Sequence, residues 1–188
     1  MPQLVLGSSS PRRRDLLAQI AIVPDQIIAP EIDETPHRGE SPRIFAARMA
    51  REKNAAIRIP NSFILTADTI VAVGSRILPK AGDAATARAC IELLSGRRHT
   101  VFSAVMLRAP DGRTSERNVV SRVGFARLDR RQIGDYLDSG EWSDKAGGYA
   151  IQGRAAAFID FCAGSYSGVV GLPLHETNNL LTGLGFRQ

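Results

Sequence analysis

Two strand-like runs, residues 100–107 and 114–125, flank the turn signal Pro110-Asp111-Gly112. This pair constrains the fold more than any other feature of the chain. A hairpin of this kind joins antiparallel neighbours. Most of the remaining sequence alternates strand-like and helix-like segments, the pattern that builds parallel units. Residues 4–7 read as a first strand, and Ser10-Pro11 as a cap and first-turn proline before a helix over 12–20. Leu16, Leu17 and Ile20 recur there at helical spacing. Residues 26–29 read as a second strand. Ser41-Pro42 opens a helix to about residue 57, with Phe45 and Met49 on one face. Residues 63–67 and 69–73 are strand-like and broken only by Asp68. Gly74-Ser75 then turns into residues 76–78. Asp83 caps a helix to Leu94, and a short helix runs from Asp129 to Ser139. A glycine-rich stretch over 145–153 precedes a strand at 156–162, and Pro173 starts a helix to Leu184. The sum is an α/β fold with a mixed sheet. The middle hairpin region reads as a second lobe, leaving a cleft. No repeat, low-complexity tract or long linker divides the 188 residues, so one domain is expected over 1–188.

Composition narrows the class. Hydrophobic residues make up 44% and charged residues 23%, which is ordinary for a globular chain and argues against wholesale disorder. The longest apolar runs are far short of a membrane span. Met1-Pro2-Gln3-Leu4 lacks the basic segment of a secretory signal. Cys90 and Cys162 make no disulfide framework, so the expected setting is reducing and cytoplasmic. The net charge is +5. Of the 24 basic residues only Lys53, Lys80 and Lys145 are lysines; the rest are arginines, a bias that GC-rich coding explains in large part. The excess still favours an anionic partner, either a nucleic acid or a phosphorylated small molecule. Aromatic residues are only 6%, too few for a platform that stacks single-stranded bases, so no stable nucleic-acid partner is expected.

Several short constellations carry candidate chemistry. Gly7-Ser8-Ser9-Ser10-Pro11-Arg12-Arg13-Arg14 joins strand to helix. Helix N-terminal N–H groups, hydroxyls and guanidinium groups together suit a phosphate. Arg12 and Arg13 oppose the helix dipole, a conflict a bound anion would relieve. Read alone, a solvated basic turn explains the segment equally well. Asp68 interrupts two apolar runs, where a carboxylate can serve as metal ligand or general base; a turn aspartate is the plainer alternative. Asp33-Glu34 adds two carboxylates, otherwise a surface acidic loop. Lys53 and Lys80 can neutralise phosphate oxygens or simply face solvent. Gln152, at the end of the glycine-rich stretch, offers an amide that matches a base edge. His37, His99 and His175 lack metal-ligand spacing.

Taken together, these pieces are more specific. Leu4-Val5-Leu6-Gly7-Ser8-Ser9-Ser10-Pro11-Arg12-Arg13, Arg51-Glu52-Lys53, Ala67-Asp68-Thr69, Lys80, Leu94-Ser95-Gly96, Asp144-Lys145-Ala146-Gly147-Gly148-Tyr149-Ala150-Ile151-Gln152-Gly153 and Val170-Gly171-Leu172-Pro173-Leu174 stand in the order of the Maf-like nucleoside triphosphate pyrophosphatases. The resemblance covers essentially the whole chain. It implies an ITPase-like α/β fold, with a mixed twisted sheet flanked by helices and two lobes around a central cleft. It also implies a divalent cation, Mg²⁺ or Mn²⁺, and hydrolysis of a nucleoside triphosphate to monophosphate and pyrophosphate. The Gly-Tyr-Ala-Ile-Gln-Gly stretch resembles the branch acting on dTTP and UTP, a house-cleaning role that extends to modified pyrimidine nucleotides. Carried onto this chain, Asp68 and Glu34 would be catalytic and hold the metal. Ser8, Arg12, Arg13, Lys53 and Lys80 would hold the triphosphate, and Arg12, Thr69 and Gln152 match positions tied to substrate choice. A homodimer is implied by the resemblance only. Two alternatives stay open: the same chemistry on 7-methyl-GTP or another nucleotide, and a non-catalytic nucleotide- or RNA-binding regulator of septation. The sequence departs from the family at Pro79-Lys80-Ala81, where Gly-Lys-Pro or Glu-Lys-Pro is usual, and at Gly7, where alanine is usual and no harm is expected.

Overall fold

The computed structural model describes residues 2–187. Seven strands form one sheet: β1 (Gln3–Gly7), β2 (Gln26–Ile27), β3 (Ser62–Val73), β4 (Arg76–Leu78), β5 (Arg98–Arg108), β6 (Thr114–Phe125) and β7 (Ile159–Ala163). Their order is β2-β1-β3-β5-β6-β7, with β4 paired to β3 off this path. The β2-β1-β3 part is parallel and every other pairing is antiparallel. The helices are α1 (Pro11–Gln19), α2 (Pro42–Ala56), α3 (Ala84–Leu94), α4 (Arg130–Asp138), α5 (Tyr166–Val170) and α6 (Leu174–Gly183). This is the mixed α/β sheet that the hairpin and the alternating segments predict.

Period-two alternation along β3 decides what the fold can build. Phe63, Leu65 and Ala67 face one apolar cluster with Leu4, Leu6, Leu16, Leu17, Leu180 and Leu181. Val71, on the same face of β3, belongs to a second cluster with Leu94, Val101, Val123, Phe125, Tyr136 and Tyr149. Between the clusters on that face stand Thr69 of β3 and Ser103 of β5, paired in register. The sheet therefore carries a polar belt between two cores. The other face holds Ile64, Thr66, Asp68 and Ile70, and α2 covers it with Phe45, Ala46, Met49 and Ala50.

Three local expectations need correction. Asp68 does not break the strand: β3 runs unbroken from Ser62 to Val73, and Asp68 pairs with Ala104. The final strand begins at Ile159 rather than 156, because Arg154–Phe158 forms a 3-10 turn. No element is expected between the strand ending at 162 and Pro173, where α5 lies. It is five residues long, less than two helical turns, so it carries no apolar period to detect. Gly7 also does more than replace an alanine. A Cβ there would lie 2.5 Å from Thr66 Cγ2 and 2.6 Å from Ile57 Cδ1, so in this chain the glycine admits both side chains.

An aromatic group closes the second core. His99 packs edge-on against Phe125 and Tyr149, with ring centroids 5.6 and 5.4 Å away. Burial pushes the His99 imidazole down to about 4. The unfolded chain binds a proton at this residue below its ordinary value of 6.5, while the folded chain resists doing so until about 4. Stability from this residue is therefore complete above 6.5 and falls as the pH drops toward 4. The loss is on the order of 3 kcal/mol. Urea denaturation at pH 7.5 and 4.5 is expected to show this drop in the wild type and a smaller one in His99→Phe. Equal drops would mean that His99 does not titrate differently on folding.

Candidate active site

The polar belt opens into a cleft of about 390 Å³. β1 enters it and ends at Gly7. Ser8 then turns the chain, its hydroxyl accepting from the Ser10 N–H at 3.1 Å and from Arg13 Nη1 at 3.0 Å. Ser10 occupies the N-cap position of α1, but its side chain makes no cap bond. The start of α1 is thus not closed by its own cap and faces the cleft, as anion binding requires. Arg13 is aimed by a second bond, from Nε to the Gly171 carbonyl at 2.9 Å. Thr69 Oγ1 donates to the same carbonyl at 3.3 Å. One backbone oxygen at the end of α5 thereby orients two side chains of the cleft. Burial lowers the affinity of Arg12 and Arg13 for their protons, opposed at Arg12 by Asp144 and at Arg13 mainly by Asp68.

The opposite wall comes from α2. Phe45, Met49 and Lys53 recur every four residues, so Lys53 continues a buried stripe rather than an exposed face. Its ammonium donates to Asp68 Oδ1 at 2.6 Å and lies 2.7 Å from Glu34 Oε1. Lys53 and Asp68 are only 6% and 4% exposed, which makes this a desolvated pair whose members depend on each other. Lys80 Nζ donates to Glu34 Oε2 at 2.6 Å. Burial alone would push the Glu34 carboxyl up, but the hydrogen bonds and charges of Lys53 and Lys80 outweigh it and hold it at about 2. Glu34 is therefore an anion at any physiological pH.

The loop around Lys80 is set by backbone bonds. The Ala81 N–H donates to Lys145 O at 3.1 Å, a bond that proline at this position could not make. The Gly147 N–H donates to Pro79 O at 3.0 Å, and the Asp144 N–H to Ala81 O at 2.9 Å. The departure at Pro79-Lys80-Ala81 thus keeps the lysine directed at Glu34 by tying its loop to the glycine-rich segment. That segment carries Gln152, which is exposed at the cleft.

Every residue singled out from the sequence as catalytic or binding lines this one cleft: Ser8, Arg12, Arg13, Glu34, Lys53, Asp68, Thr69, Lys80 and Gln152. Asp33 does not; it is exposed and accepts from the Thr35 N–H. Two further lining residues, Asp144 and Lys145, were quoted within a motif but not given a role. The signal for Lys145 was available. It is the third lysine of an arginine-rich chain, and all three lysines line the cleft. Arg12, Arg13, Lys53, Lys80 and Lys145 face Glu34, Asp68 and Asp144 there, so the cleft keeps an excess of positive charge while presenting carboxylates. A surface that only binds an anion has no use for the carboxylates; hydrolysis of one does.

The donor set also fits a divalent cation. Asp68 and Glu34 bring two hard carboxylate oxygens to one point, and Mg²⁺ is commonly held by one or two carboxylates with substrate phosphates completing the shell. No group of three or more His, Cys, Asp or Glu side chains suited to a metal occurs among the described residues, so the phosphates and water would supply the rest.

Residues 3–184 match the family described as Maf-like protein. A dTTP/UTP pyrophosphatase of Rhodospirillum rubrum is 58% identical over 186 residues, covering 98% of this chain and 89% of that protein. One from Caulobacter vibrioides is 55% identical over 188 residues, covering 99% and 97%. Among solved structures, a HAM1 protein from Coxiella burnetii aligns with a TM-score of 0.52 at 18% identity, over 97% of this chain and 100% of that one. That likeness is one of fold. No helix among the described residues is long and apolar enough to cross a membrane.

Proposed function

This chain belongs to the Maf-like family, and from that premise we propose that it hydrolyses dTTP and UTP to the monophosphate and pyrophosphate in the cytoplasm. The observation that carries the reading is the meeting of Asp68 and Glu34 on Lys53 inside a cleft rich in cations. Full-length relatives named dTTP/UTP pyrophosphatase support it. Residues 1–188 act as one unit, with the two apolar clusters as the lobes on either side of the cleft.

The mechanism follows from charge. A triphosphate repels an incoming hydroxide, and the cations of the cleft offset that repulsion. Ser8, Arg12 and Arg13 at the start of α1, with Lys53 and Lys80 opposite, hold the phosphate oxygens. Asp68 orients a water in line with the α-phosphorus and takes its proton. The new bond forms from water oxygen to the α-phosphorus as the bridging bond to the β-phosphate breaks, and pyrophosphate leaves. Asp68 and Glu34 would hold the divalent cation, which when bound supplies further neutralisation of the leaving charge.

Gln152 reads the base. Uracil and thymine present an N3–H donor beside an O4 acceptor, which one amide can match at both points. Cytosine inverts that edge. If the amide is held in one orientation in the complex, cytosine meets unpaired polar groups, at about 1–3 kcal/mol each where the bound base buries them. The expected order is dTTP and UTP well above CTP, by roughly tenfold to hundredfold. Gln152→Ala is expected to narrow the gap by losing activity on dTTP and UTP. kcat/KM across dTTP, UTP, CTP and 7-methyl-GTP in both proteins tests this. An unchanged dTTP-to-CTP ratio removes the base-reading role, and a preference for 7-methyl-GTP overturns the substrate class.

A further inference from the structure

Several buried titratable side chains take no part in the chemistry above, among them Cys90, Tyr136 and His99. His99, the second residue of β5, is 3% exposed. Its Nε2 lies 2.8 Å from the Tyr149 hydroxyl, and its Nδ1 is buried with no partner. A ring needed only for packing would be better supplied by phenylalanine, which leaves no orphaned nitrogen. The polarity of His99 is spent on one atom, the Tyr149 hydroxyl, and Tyr149 lines the cleft.

The backbone around Tyr149 gives that bond its importance. Gly147 and Gly148 have φ of +68° and +69°, and a Cβ at Gly147 would lie 2.9 Å from Val71 Cγ1. The chain thus makes two successive left-handed steps just before Tyr149, at positions that glycine tolerates and other residues rarely do. Such a turn can be redirected cheaply unless its exit is fixed. Tyr136 fixes the first point, its hydroxyl donating to Gly148 O at 3.2 Å. His99 fixes the second, at Tyr149. Gln152 follows three residues later with no side-chain hydrogen bond among the described residues, so what limits the reach of its amide is the backbone position that these contacts hold.

We propose that His99 is a positioning residue for base selection, which through the Tyr149 hydroxyl sets the backbone position of Gln152 in the cleft. The proposal rests on the reading of Gln152 as the group that meets the base. It predicts that selectivity, rather than turnover, suffers when the bond between His99 and Tyr149 is removed.

The test measures kcat and KM for dTTP, UTP and CTP, together with melting temperature. The proteins are the wild type, His99→Phe, Tyr149→Phe, the double variant, His99→Gln and Gln152→Ala. His99→Phe is expected to lower the dTTP-to-CTP ratio of kcat/KM by about threefold or more, the worth of one net hydrogen bond. The change should fall mainly on KM for dTTP and UTP. Tyr149→Phe should do the same, and the double variant no worse than either, because both remove one interaction. His99→Gln, whose amide can still meet the hydroxyl, should recover most of the ratio. Should His99→Phe fail to fold, Tyr149→Phe carries the comparison, since it removes only an oxygen. A lower melting temperature with equal loss on all three nucleotides overturns the proposal, as do additive losses in the double variant. A ratio that moves in Gln152→Ala but not in His99→Phe or Tyr149→Phe overturns the positioning role alone. One that moves in none of them overturns the role of Gln152 and this one with it. One that moves in His99→Phe but not in Gln152→Ala overturns the proposal as stated, because His99 then positions some other group.

Discussion

Asp68→Asn is expected to reduce turnover on dTTP at least ~100-fold, the lower range for loss of a general base, while the nucleotide still binds. The side chain lies in the middle of β3, 4% exposed, with Oδ1 against Lys53. Asparagine keeps the shape and can still accept from the ammonium, so the strand pairing with β5 and the packing under α2 are retained. What it loses is the charge that takes a proton and the anionic oxygen suited to a metal. Triphosphate binding depends on cations elsewhere in the cleft and should persist, or tighten as one negative charge disappears. Single-turnover kinetics with calorimetric binding of a non-hydrolysable dTTP analogue separates the two effects. Turnover like the wild type would put the base elsewhere, and loss of binding would mean that Asp68 organises the cleft rather than the chemistry.

Lys53→Met is expected to damage stability as well as activity, and the two can be pulled apart. Removing Lys53 strands the buried Asp68 carboxylate, whereas Glu34 keeps Lys80. Leaving one member of a desolvated pair uncompensated costs about 3 kcal/mol or more. The double variant Lys53→Met with Asp68→Asn removes both charges, so it should regain most of the lost stability while remaining inactive. Urea denaturation of the three variants measures this. A single Lys53→Met variant as stable as the wild type would show that the pair is solvated, and would weaken the case for Lys53 as a buried cation serving the cleft.

The parts of the fold that could be read in advance were those decided by neighbours in the chain. β6 matches its expected bounds, 114–125, because alternation and the Pro110-Asp111-Gly112 turn are both local signals. Asp83 caps α3 as expected, its side chain accepting from the Thr86 N–H, whereas Asp129, read as the first residue of a helix, is instead the N-cap of α4 and accepts from the Gln132 N–H. Asp68 was misjudged for the complementary reason. Local propensity disfavours aspartate within a strand, and what permits it is Lys53, brought from α2 by tertiary packing. The site was legible as a set of residue types because the motif order resembles a family, but its geometry was not. The bond from Arg13 to Gly171 joins residues 158 apart in the chain, and nothing near either residue announces it. The Ala81-to-Lys145 bond was equally hidden, and it is what explains how the cleft accommodates an unusual lysine loop. Lys145 is a different case, since the scarcity of lysine that singled out Lys53 and Lys80 applied to it as well.

The central claim is attack of water at the α-phosphorus, and hydrolysis of dTTP in ¹⁸O-labelled water tests it most directly. Ion chromatography and mass spectrometry of the products should show equimolar dTMP and pyrophosphate, with one labelled oxygen in dTMP and none in pyrophosphate. Release of dTDP with orthophosphate, or label found in the pyrophosphate, would contradict it.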